Sequence, residues 1–376
     1  MAEKVLKQHE EHTLALLRSL LWNERVEIPE DFNDWNPLVA FSQRQSVLAL
    51  VAKAILANNE ILSRIPTQLK LKLKSFLVSN VMTYDKMTGV LKTTSKTLSE
   101  NGIPHVLLKG HGLAVNYPYP QLRQCGDIDM YVGEENALAT YKALSGIVTK
   151  IDPESEALWG KHFSANVGEI EIEVHRHNSS HDSKKFARIY KEAADRGLSE
   201  NLCPVDFDGV EVMTPEVTYN AYYIFDHLFE HFLTSGIGLR HLCDLMMFLH
   251  THKDRIDKEY LKSLLDRMEM LDPWQVFGNI LVKHLGLPEE EFPFYAESKK
   301  KDTVLSYILF DGNFGKSTAY YTKRSDNYLQ TKLNAFWCHV TRGTKMLKLF
   351  PHHETRHFKH VILKYFEHLR GDIKRK

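Results

Sequence analysis

The most informative segment of the sequence is Arg123-Gln124-Cys125-Gly126-Asp127-Ile128-Asp129-Met130-Tyr131-Val132 (RQCGDIDMYV). Its apolar residues at 128, 130 and 132 alternate with Asp127, Asp129 and Tyr131, which predicts a β-strand with one apolar face. Aspartate is depleted in strands, and two carboxylates on one face repel each other when both are ionised. The pair therefore indicates a compensating proton, a basic side chain or a divalent cation. Mg²⁺ is commonly held by a few carboxylates together with substrate phosphates.

A second strand with acids on one face is predicted at residues 169–175 (EIEIEVH). Its isoleucines and valine form the apolar face, and Glu171, Glu173 and His175 form the other. If this strand lies beside the first, one glutamate joins the two aspartates. Three carboxylates around one or two metal ions suit phosphoryl-group transfer, and one of them can act as the general base. An exposed strand with no function shows the same alternation, so the hypothesis depends on both strands together.

Composition and charge narrow the class of protein. The 376 residues are enough for two or three domains, and 43% apolar with 26% charged residues is ordinary for a soluble globular chain. Lysine plus arginine equals aspartate plus glutamate at 48 each, so no overall charge attracts nucleic acid or an anionic membrane. The first residues lack a signal-peptide core, and no apolar run approaches the about 18 residues of a membrane span. With four widely spaced cysteines, these features predict a cytoplasmic protein with reduced thiols and no membrane partner.

Periodicity divides the chain into three predicted regions. Residues 1–100 form an N-terminal helical region, 101–213 a small mixed-sheet core, and 214–376 a C-terminal helical region, which together give an α+β fold. Thr214-Pro215-Glu216 predicts a helix start with Thr214 as the N-cap. Further helices are predicted over 256–271, 273–286, 302–309 and 325–349.

The segment 106–132, VLLKGHGLAVNYPYPQLRQCGDIDMYV, resembles the bacterial family of uncharacterised nucleotidyltransferases, within the DNA polymerase β-like superfamily. The resemblance lies in an LKG turn, a Tyr-Pro, an arginine before the acids, and the strand with two aspartates. Residues 173–175 match the family's acid-apolar-histidine strand, and 238–245 match its G-h-R-x-h-x-D-h segment. The similarity covers most of the chain and is specific over roughly 103–250.

The resemblance implies a set of site residues and a reaction. Asp127, Asp129 and Glu173 would hold Mg²⁺ or Mn²⁺, and Glu173 would be a ligand or the general base. The nucleotide phosphates would lie near Lys109, Gly110 and Arg123. Acceptor contacts or support for the ligands would come from His175, Glu171, Arg240 and Asp244. Two departures from better-known superfamily members are a Lys-Gly turn in place of Gly-Ser, and a glutamate as third acid where many relatives have aspartate.

The predicted reaction moves a nucleoside monophosphate, AMP from ATP or its counterpart from another NTP, to an acceptor hydroxyl with release of pyrophosphate. The acceptor is a small molecule, a sugar, a protein or an RNA end. Two alternatives use the same scaffold. The acids can direct attack at the γ-phosphorus, which gives a kinase, or the protein can bind nucleotide without turnover.

A different class of enzyme is raised by residues 227–231 (HLFEH), which match the H-x-x-E-H signature of inverted zinc proteases. His227 and His231 would share one helical face, with Glu230 as the acid. The aromatic residues around them equally predict a packed helix interface. Arg240 and Asp244, at i and i+4, predict either a structural ion pair or a lid on the acids.

Two C-terminal patterns carry weaker signals. Residues 312–318 (GNFGKST) imitate a phosphate-binding Walker A loop, but Phe310 occupies the place of the required first glycine. Four histidines and a basic tail follow, both of which are typical of solvated helix faces and chain ends. They are His352, His353, His357, His360, and Lys364, Arg370, Lys374, Arg375, Lys376.

Overall fold

The computed structural model describes residues 6–177, 183–313 and 341–355. The helices with named bounds are α1 (Gln8–Trp22), α2 (Trp35–Arg44), α3 (Leu48–Ala57), α4 (Asn59–Arg64), α5 (Thr67–Glu100), α6 (His111–Ala114), α7 (Ala137–Leu144), α8 (Glu154–Trp159), α9 (Lys184–Gly197), α10 (Val217–Thr234), α11 (Leu239–His252), α12 (Lys258–Arg267), α13 (Leu271–Leu285) and α14 (Lys301–Asp311). Residues 341–349 and 351–355 are also helical, and single 3₁₀ turns lie at Pro120–Leu122 and Glu289–Glu291.

The strands form one sheet of five strands and one hairpin. Their bounds are β1 (Val106–Leu107), β2 (Asp127–Tyr131), β3 (Lys150–Ile151), β4 (His162–Val167), β5 (Ile170–His175), β6 (Cys203–Phe207) and β7 (Val210–Thr214). The sheet order is β1-β2-β5-β4-β3, and β6 pairs with β7 separately. Strands β2 and β5 are parallel, whereas the other neighbours are antiparallel. The predicted α+β fold with a small mixed sheet is confirmed.

One face of the sheet is packed against helices because each acidic strand alternates with apolar residues. Ile128, Met130 and Ile172 are fully buried in a core shared with α5 and α7. Burying an aliphatic side chain of this size contributes about 1.5–3 kcal/mol. An Ile172→Ala change would therefore cost roughly 2–5 kcal/mol, including the cavity it leaves. This packing fixes the opposite face of β2 and β5, where the acids lie.

The N-terminal and C-terminal helical regions contribute to one apolar core. Trp22 Nε1 donates to the Leu285 carbonyl at 2.6 Å, which ties α1 to the end of α13. Gln45, fully buried after α2, donates to the Leu309 carbonyl and accepts from the Leu239 amide at the start of α11. The division of the chain at residues 100 and 213 stays a prediction about its domains.

The predicted helix start at residue 214 is wrong. Thr214 is the last residue of β7, and its hydroxyl donates to the Cys203 carbonyl at 2.8 Å. Helix α10 begins at Val217, and Glu216 is its N-cap, whose carboxylate accepts from the Thr218 and Tyr219 amides. The Thr-Pro pattern is misleading because β6 pairs with β7 and holds Thr214 in a strand.

Three of the four predicted C-terminal helices correspond to α12, α13 and α14. The fourth, over 325–349, is described only from residue 341, and residues 325–340 lie outside the described chain. The same holds for His357, His360, the basic tail and most of the Walker-like stretch. None of the described helices is long and apolar enough to span a membrane.

Candidate active site

The acids meet because β2 and β5 are neighbouring parallel strands in register. Asp127 pairs with Glu171, and Asp129 pairs with Glu173. Directly paired residues project from the same face of a sheet, so these four carboxylates and His175 share one face. Asp129 is the most enclosed, with 2% of its surface exposed.

Asp129 is the centre of this group. Its Oδ1 atom lies 2.9 Å from His175 Nε2 and 3.4 Å from Lys109 Nζ. His175 Nε2 is also 3.6 Å from Glu173 Oε2. A group of side chains that could hold a metal ion is found here among the described residues. Its donor atoms all lie within 4.8 Å of one another and belong to Asp129, Glu173 and His175. Two predicted ligands, Asp129 and Glu173, belong to it, while Asp127 does not.

The pKa values of the three carboxylates shift in different directions because their surroundings differ. Burial acts to raise the pKa of Asp129, but Lys109 and the hydrogen bond from His175 lower it to about 2. Burial and then the Asp129 charge raise the pKa of Asp127, and the same two causes raise the pKa of Glu173. Repulsion of this kind is relieved by a proton or a cation. The donor set therefore fits a divalent ion.

A glycine turn brings the chain close to these acids. Gly110 follows β1 with φ of 64°, a conformation that residues with a side chain rarely adopt. A Cβ there would lie 3.5 Å from both the Asp127 carbonyl and Asp129 Oδ2. The Leu108 amide donates to the Asp129 carbonyl at 2.9 Å, which holds the turn against β2.

A cavity of about 310 Å³ opens between the acids and the C-terminal helices. Its size is at the lower end of small-molecule sites, roughly 300–1,000 Å³. The predicted site residues that line it are Lys109, Gly110, Arg123, Asp127, Asp129, Arg240 and Asp244. Glu171, Glu173 and His175 are not among the lining residues. The structure therefore gathers the predicted residues around one sheet face, and places seven of them on the cavity wall.

Arg123 and Asp244 form a buried ion pair. Arg123 Nε and Nη2 donate to Asp244 Oδ1 and Oδ2 at 3.0 and 2.6 Å, and Tyr117 donates to Oδ1 at 2.7 Å. The Arg240–Asp244 pair predicted from i,i+4 spacing does not form. Arg240 instead donates through Nη1 to the Gln124 carbonyl at 2.9 Å. Tertiary pairing with the loop before β2 outcompetes the local helix pair.

The histidines of α10 and α11 are neutral neighbours of the cavity. Burial lowers the pKa of His227 and His241 well below the ordinary value, and lowers that of His231 to about 4. His227 and His231 rings lie 4.4 Å apart, edge to face. Glu230 is exposed, and no metal-type cluster in the described ranges contains either histidine. The zinc-hydrolase alternative therefore lacks a third ligand among the residues described.

Several lining residues were missed in the sequence. Tyr223, His241, Gln124 and Asn313 also border the cavity. Tyr223 is one turn before His227 on α10, so a stripe at i, i+4 could have indicated it. Gln124 and Asn313 reach the cavity through tertiary packing, which no local pattern shows.

Two parallel strands bearing carboxylates, a close glycine turn and a polar cavity meet at this part of the molecule. The chain belongs to the family described as "Uncharacterised nucleotidyltransferase", whose sequence model matches residues 31–284, about two thirds of the chain. The protein is therefore an enzyme of the nucleotidyl-transfer class with a nucleotide substrate. The matched region contains the glycine turn, both acidic strands and helices α10 and α11, and confirms the family expected from the sequence.

Other comparisons add little to the family match. An antigenic nucleotidyltransferase-like protein from Paracoccidioides brasiliensis is similar in structure at 11% identity and a TM-score of 0.33. The similarity covers 54% of this chain and 93% of that chain. No curated protein matches the chain.

Proposed function

We propose that this enzyme transfers AMP from ATP to an acceptor hydroxyl and releases pyrophosphate, with Mg²⁺ or Mn²⁺ bound at the acids. The observation that carries the proposal is the cluster of Asp129, Glu173 and His175, whose donor atoms lie within 4.8 Å of one another. A family of nucleotidyltransferases supports the reaction class. The proposal includes membership of the DNA polymerase β-like superfamily and a bacterial, cytoplasmic origin.

Asp129 and Glu173 would hold the ion, with Asp127 on the same face as a further carboxylate. Oxygen donors of this kind are preferred by Mg²⁺ and Mn²⁺. When bound, the ion stabilises negative charge on phosphate oxygens and lowers the pKa of the attacking hydroxyl. His175, 2.9 Å from Asp129 Oδ1, keeps that carboxylate oriented.

Side chains and backbone of this protein would accept the proton and position the phosphates. Glu173 would act either as a ligand of the ion or as the general base that accepts the proton of the acceptor hydroxyl. The acceptor oxygen then bonds to the α-phosphorus, and the bond from that phosphorus to the bridging oxygen of pyrophosphate breaks. Lys109 and the backbone at Gly110 would lie beside the phosphates.

The predicted phosphate contact of Arg123 stays a prediction. Each of its guanidinium nitrogens already donates to the protein, because Nε and Nη2 contact Asp244 and Nη1 contacts the Gln124 carbonyl and Cys125 Sγ. A phosphate would have to share one of these nitrogens. Its main contribution is to hold the loop before β2 against α11.

Calorimetric titration with a non-hydrolysable ATP analogue tests the nucleotide and metal site without knowledge of the acceptor. Wild type should bind the α,β-methylene analogue only with Mg²⁺ or Mn²⁺, and the Asp127→Asn/Asp129→Asn variant should not bind it. Mn²⁺ binding followed by electron paramagnetic resonance gives a readout that needs no activity. Asp266→Asn, in an exposed ion pair with Lys262, is the matched control.

The reaction itself is distinguished by the position of the label. Transfer of label from α-³²P-ATP to the protein or to an added acceptor supports nucleotidyl transfer, whereas transfer from γ-³²P-ATP supports the kinase alternative. Binding without either product across sugars, RNA ends and proteins supports a non-catalytic nucleotide-binding protein. A folded wild type that binds no nucleoside triphosphate analogue would overturn the proposal.

A further inference from the structure

Two guanidinium groups line the cavity, but they differ in how their charge is compensated. Arg123 is 5% exposed and forms a two-pronged ion pair with Asp244. Asp244 also accepts from Tyr117, so both of its oxygens are used by these two partners. Asp244 is therefore paired with Arg123 and does not form an ion pair with Arg240.

Arg240 lacks such a partner in the described part of the chain. Its Nη1 donates to the Gln124 carbonyl at 2.9 Å, which is a neutral acceptor. Its Nε is buried without any acceptor, and no described carboxylate forms an ion pair with it. Burial and then the charge of Arg123 lower its pKa, which is the direction expected for a cation beside another cation.

The rest of the cavity does not neutralise Arg240. Lys109, which also lines the cavity, lies 3.4 Å from Asp129 Oδ1. His227 and His241 on the same wall are kept uncharged by burial. Asp127 interacts with Arg240 electrostatically but is not in contact with it. Among the described residues, the wall formed by α11 thus carries one cation that has no ion-pair partner and no acceptor for its Nε.

We propose that Arg240 binds the β- and γ-phosphates of the nucleotide substrate, the part that leaves as pyrophosphate. The inference rests on the proposed function, because it assigns the reacting α-phosphate to the acids on β2. A guanidinium group suits this role because its planar fork donates two hydrogen bonds to phosphate and stays charged. Negative charge that builds up on the leaving pyrophosphate would also be stabilised by a fixed cation.

The cost of this arrangement in the free protein supports a ligand. The Nε donor of Arg240 is buried without an acceptor, and its half-buried charge has no ion-pair partner among the described residues. Both features lower the free energy of unfolding. Residues that break such rules in a folded protein are found mainly at functional sites. A phosphate oxygen would supply both the missing acceptor and the missing charge.

Calorimetry with ligands of increasing phosphate content tests the assignment. The probes are AMP, the α,β-methylene analogue of ATP and inorganic tripolyphosphate, each with Mg²⁺. Arg240→Gln should weaken the analogue and tripolyphosphate by about 10-fold to 100-fold, as loss of a charged hydrogen bond predicts. Binding of AMP should change by less than about 3-fold, since AMP lacks the contacted groups.

Two further variants complete the design. Arg240→Lys keeps the charge and loses the fork, so its affinities should fall between wild type and Arg240→Gln. Arg188→Gln removes the same charge from an exposed position on α9, where 77% of the side chain is accessible, and should leave all affinities unchanged. The urea midpoint of unfolding distinguishes a ligand-binding role of Arg240 from a structural one. Arg240→Gln should unfold at the same or a higher urea concentration than wild type, whereas a structural role predicts a lower one.

The outcomes separate this inference from the proposed function. If wild type and Arg240→Gln bind the analogue with the same affinity, the role of Arg240 is overturned and the proposed nucleotidyl transfer is not affected. Arg240-dependent binding of tripolyphosphate by a protein that transfers no nucleotide would support the anion site and overturn the reaction. Equal weakening of AMP and the analogue, or no binding of any probe by folded wild type, would overturn the assignment.

Discussion

Removal of the Asp244 charge should strongly destabilise the protein. In Asp244→Asn the side chain keeps its size, but Arg123 is left as a buried cation with no carboxylate. The partner is 5% exposed, and Arg240 lies on the same wall, so water and neighbouring groups offer little compensation. Breaking a buried pair in this way costs about 3–5 kcal/mol. The folding equilibrium constant should therefore fall by a factor of roughly 10² to 10³ or more.

Urea unfolding followed by circular dichroism and tryptophan fluorescence measures the change. The midpoint of Asp244→Asn should fall while the slope with urea concentration stays that of wild type, because the surface exposed on unfolding is nearly unchanged. Asp266→Asn makes the same chemical change in an exposed i,i+4 pair with Lys262. Its cost should stay under about 1 kcal/mol.

A double-variant cycle tests whether the pair itself is responsible. Arg123→Met/Asp244→Leu removes both charges and should recover most of the loss of Asp244→Leu alone, because no buried charge remains unpaired. Additive effects of the two single changes, or a loss below about 1 kcal/mol in Asp244→Asn, would refute the argument. In that case Arg123 would be available to a phosphate, as the sequence predicted.

Two further predictions concern the glycine turn and a buried acid. Gly110→Ala should lower the free energy of unfolding by about 1–3 kcal/mol and weaken analogue binding, because φ of 64° is strained for alanine. Gly89→Ala on α5 is the control, since no atom lies within 4 Å of the new Cβ, and it should have neither effect. Thermal unfolding of both variants checks this. Burial raises the pKa of Glu354 from 4.5 to about 7, so the folded state holds this proton more tightly than the unfolded state. Its contribution to the free energy of unfolding is complete below pH 4.5 and is lost as the pH rises to 7. Glu354→Gln should avoid this loss of up to about 3 kcal/mol; equal urea midpoints of variant and wild type at both pH 5 and pH 8 would contradict it.

The acidic faces of β2 and β5 could be predicted from sequence because the signal is local, whereas the pairing of the two strands was only a condition of the hypothesis. Alternation fixes which face of β2 carries Asp127 and Asp129, and the same rule fixes the face of β5. A one-residue shift in register would have turned every acid into the core, so the apolar face of the sheet strongly specifies the pairing. The loop with a glycine turn is equally local, since φ of 64° at residue 110 favours glycine.

The partners of each charge could not be predicted because they depend on distant packing. Asp244 is 121 residues from Arg123 in sequence, and its nearer candidate Arg240, one helical turn away, is not its partner. Likewise, strand alternation placed His175 beside Glu173 but could not show that its Nε2 would contact Asp129 on another strand. Local rules predict which side chains share a face, whereas the choice among partners on that face is decided by tertiary contacts.

The two arginines of the cavity show why this distinction matters for function. Arg123 and Arg240 belong to two separate segments that resemble the family, and the resemblance gave Arg123 a place near the phosphates and Arg240 one near the acceptor or the ligands. In the structure Arg123 forms an ion pair with Asp244, which also accepts from Tyr117. Among the described residues, Arg240 has only the neutral Gln124 carbonyl as an acceptor, and its Nε has none. A protein stabilised only by its own contacts would favour a partner for both. A polyphosphate would therefore supply the acceptor and charge that Arg240 lacks in the described ranges, while the Arg123–Asp244 pair holds the loop before Asp127 in place.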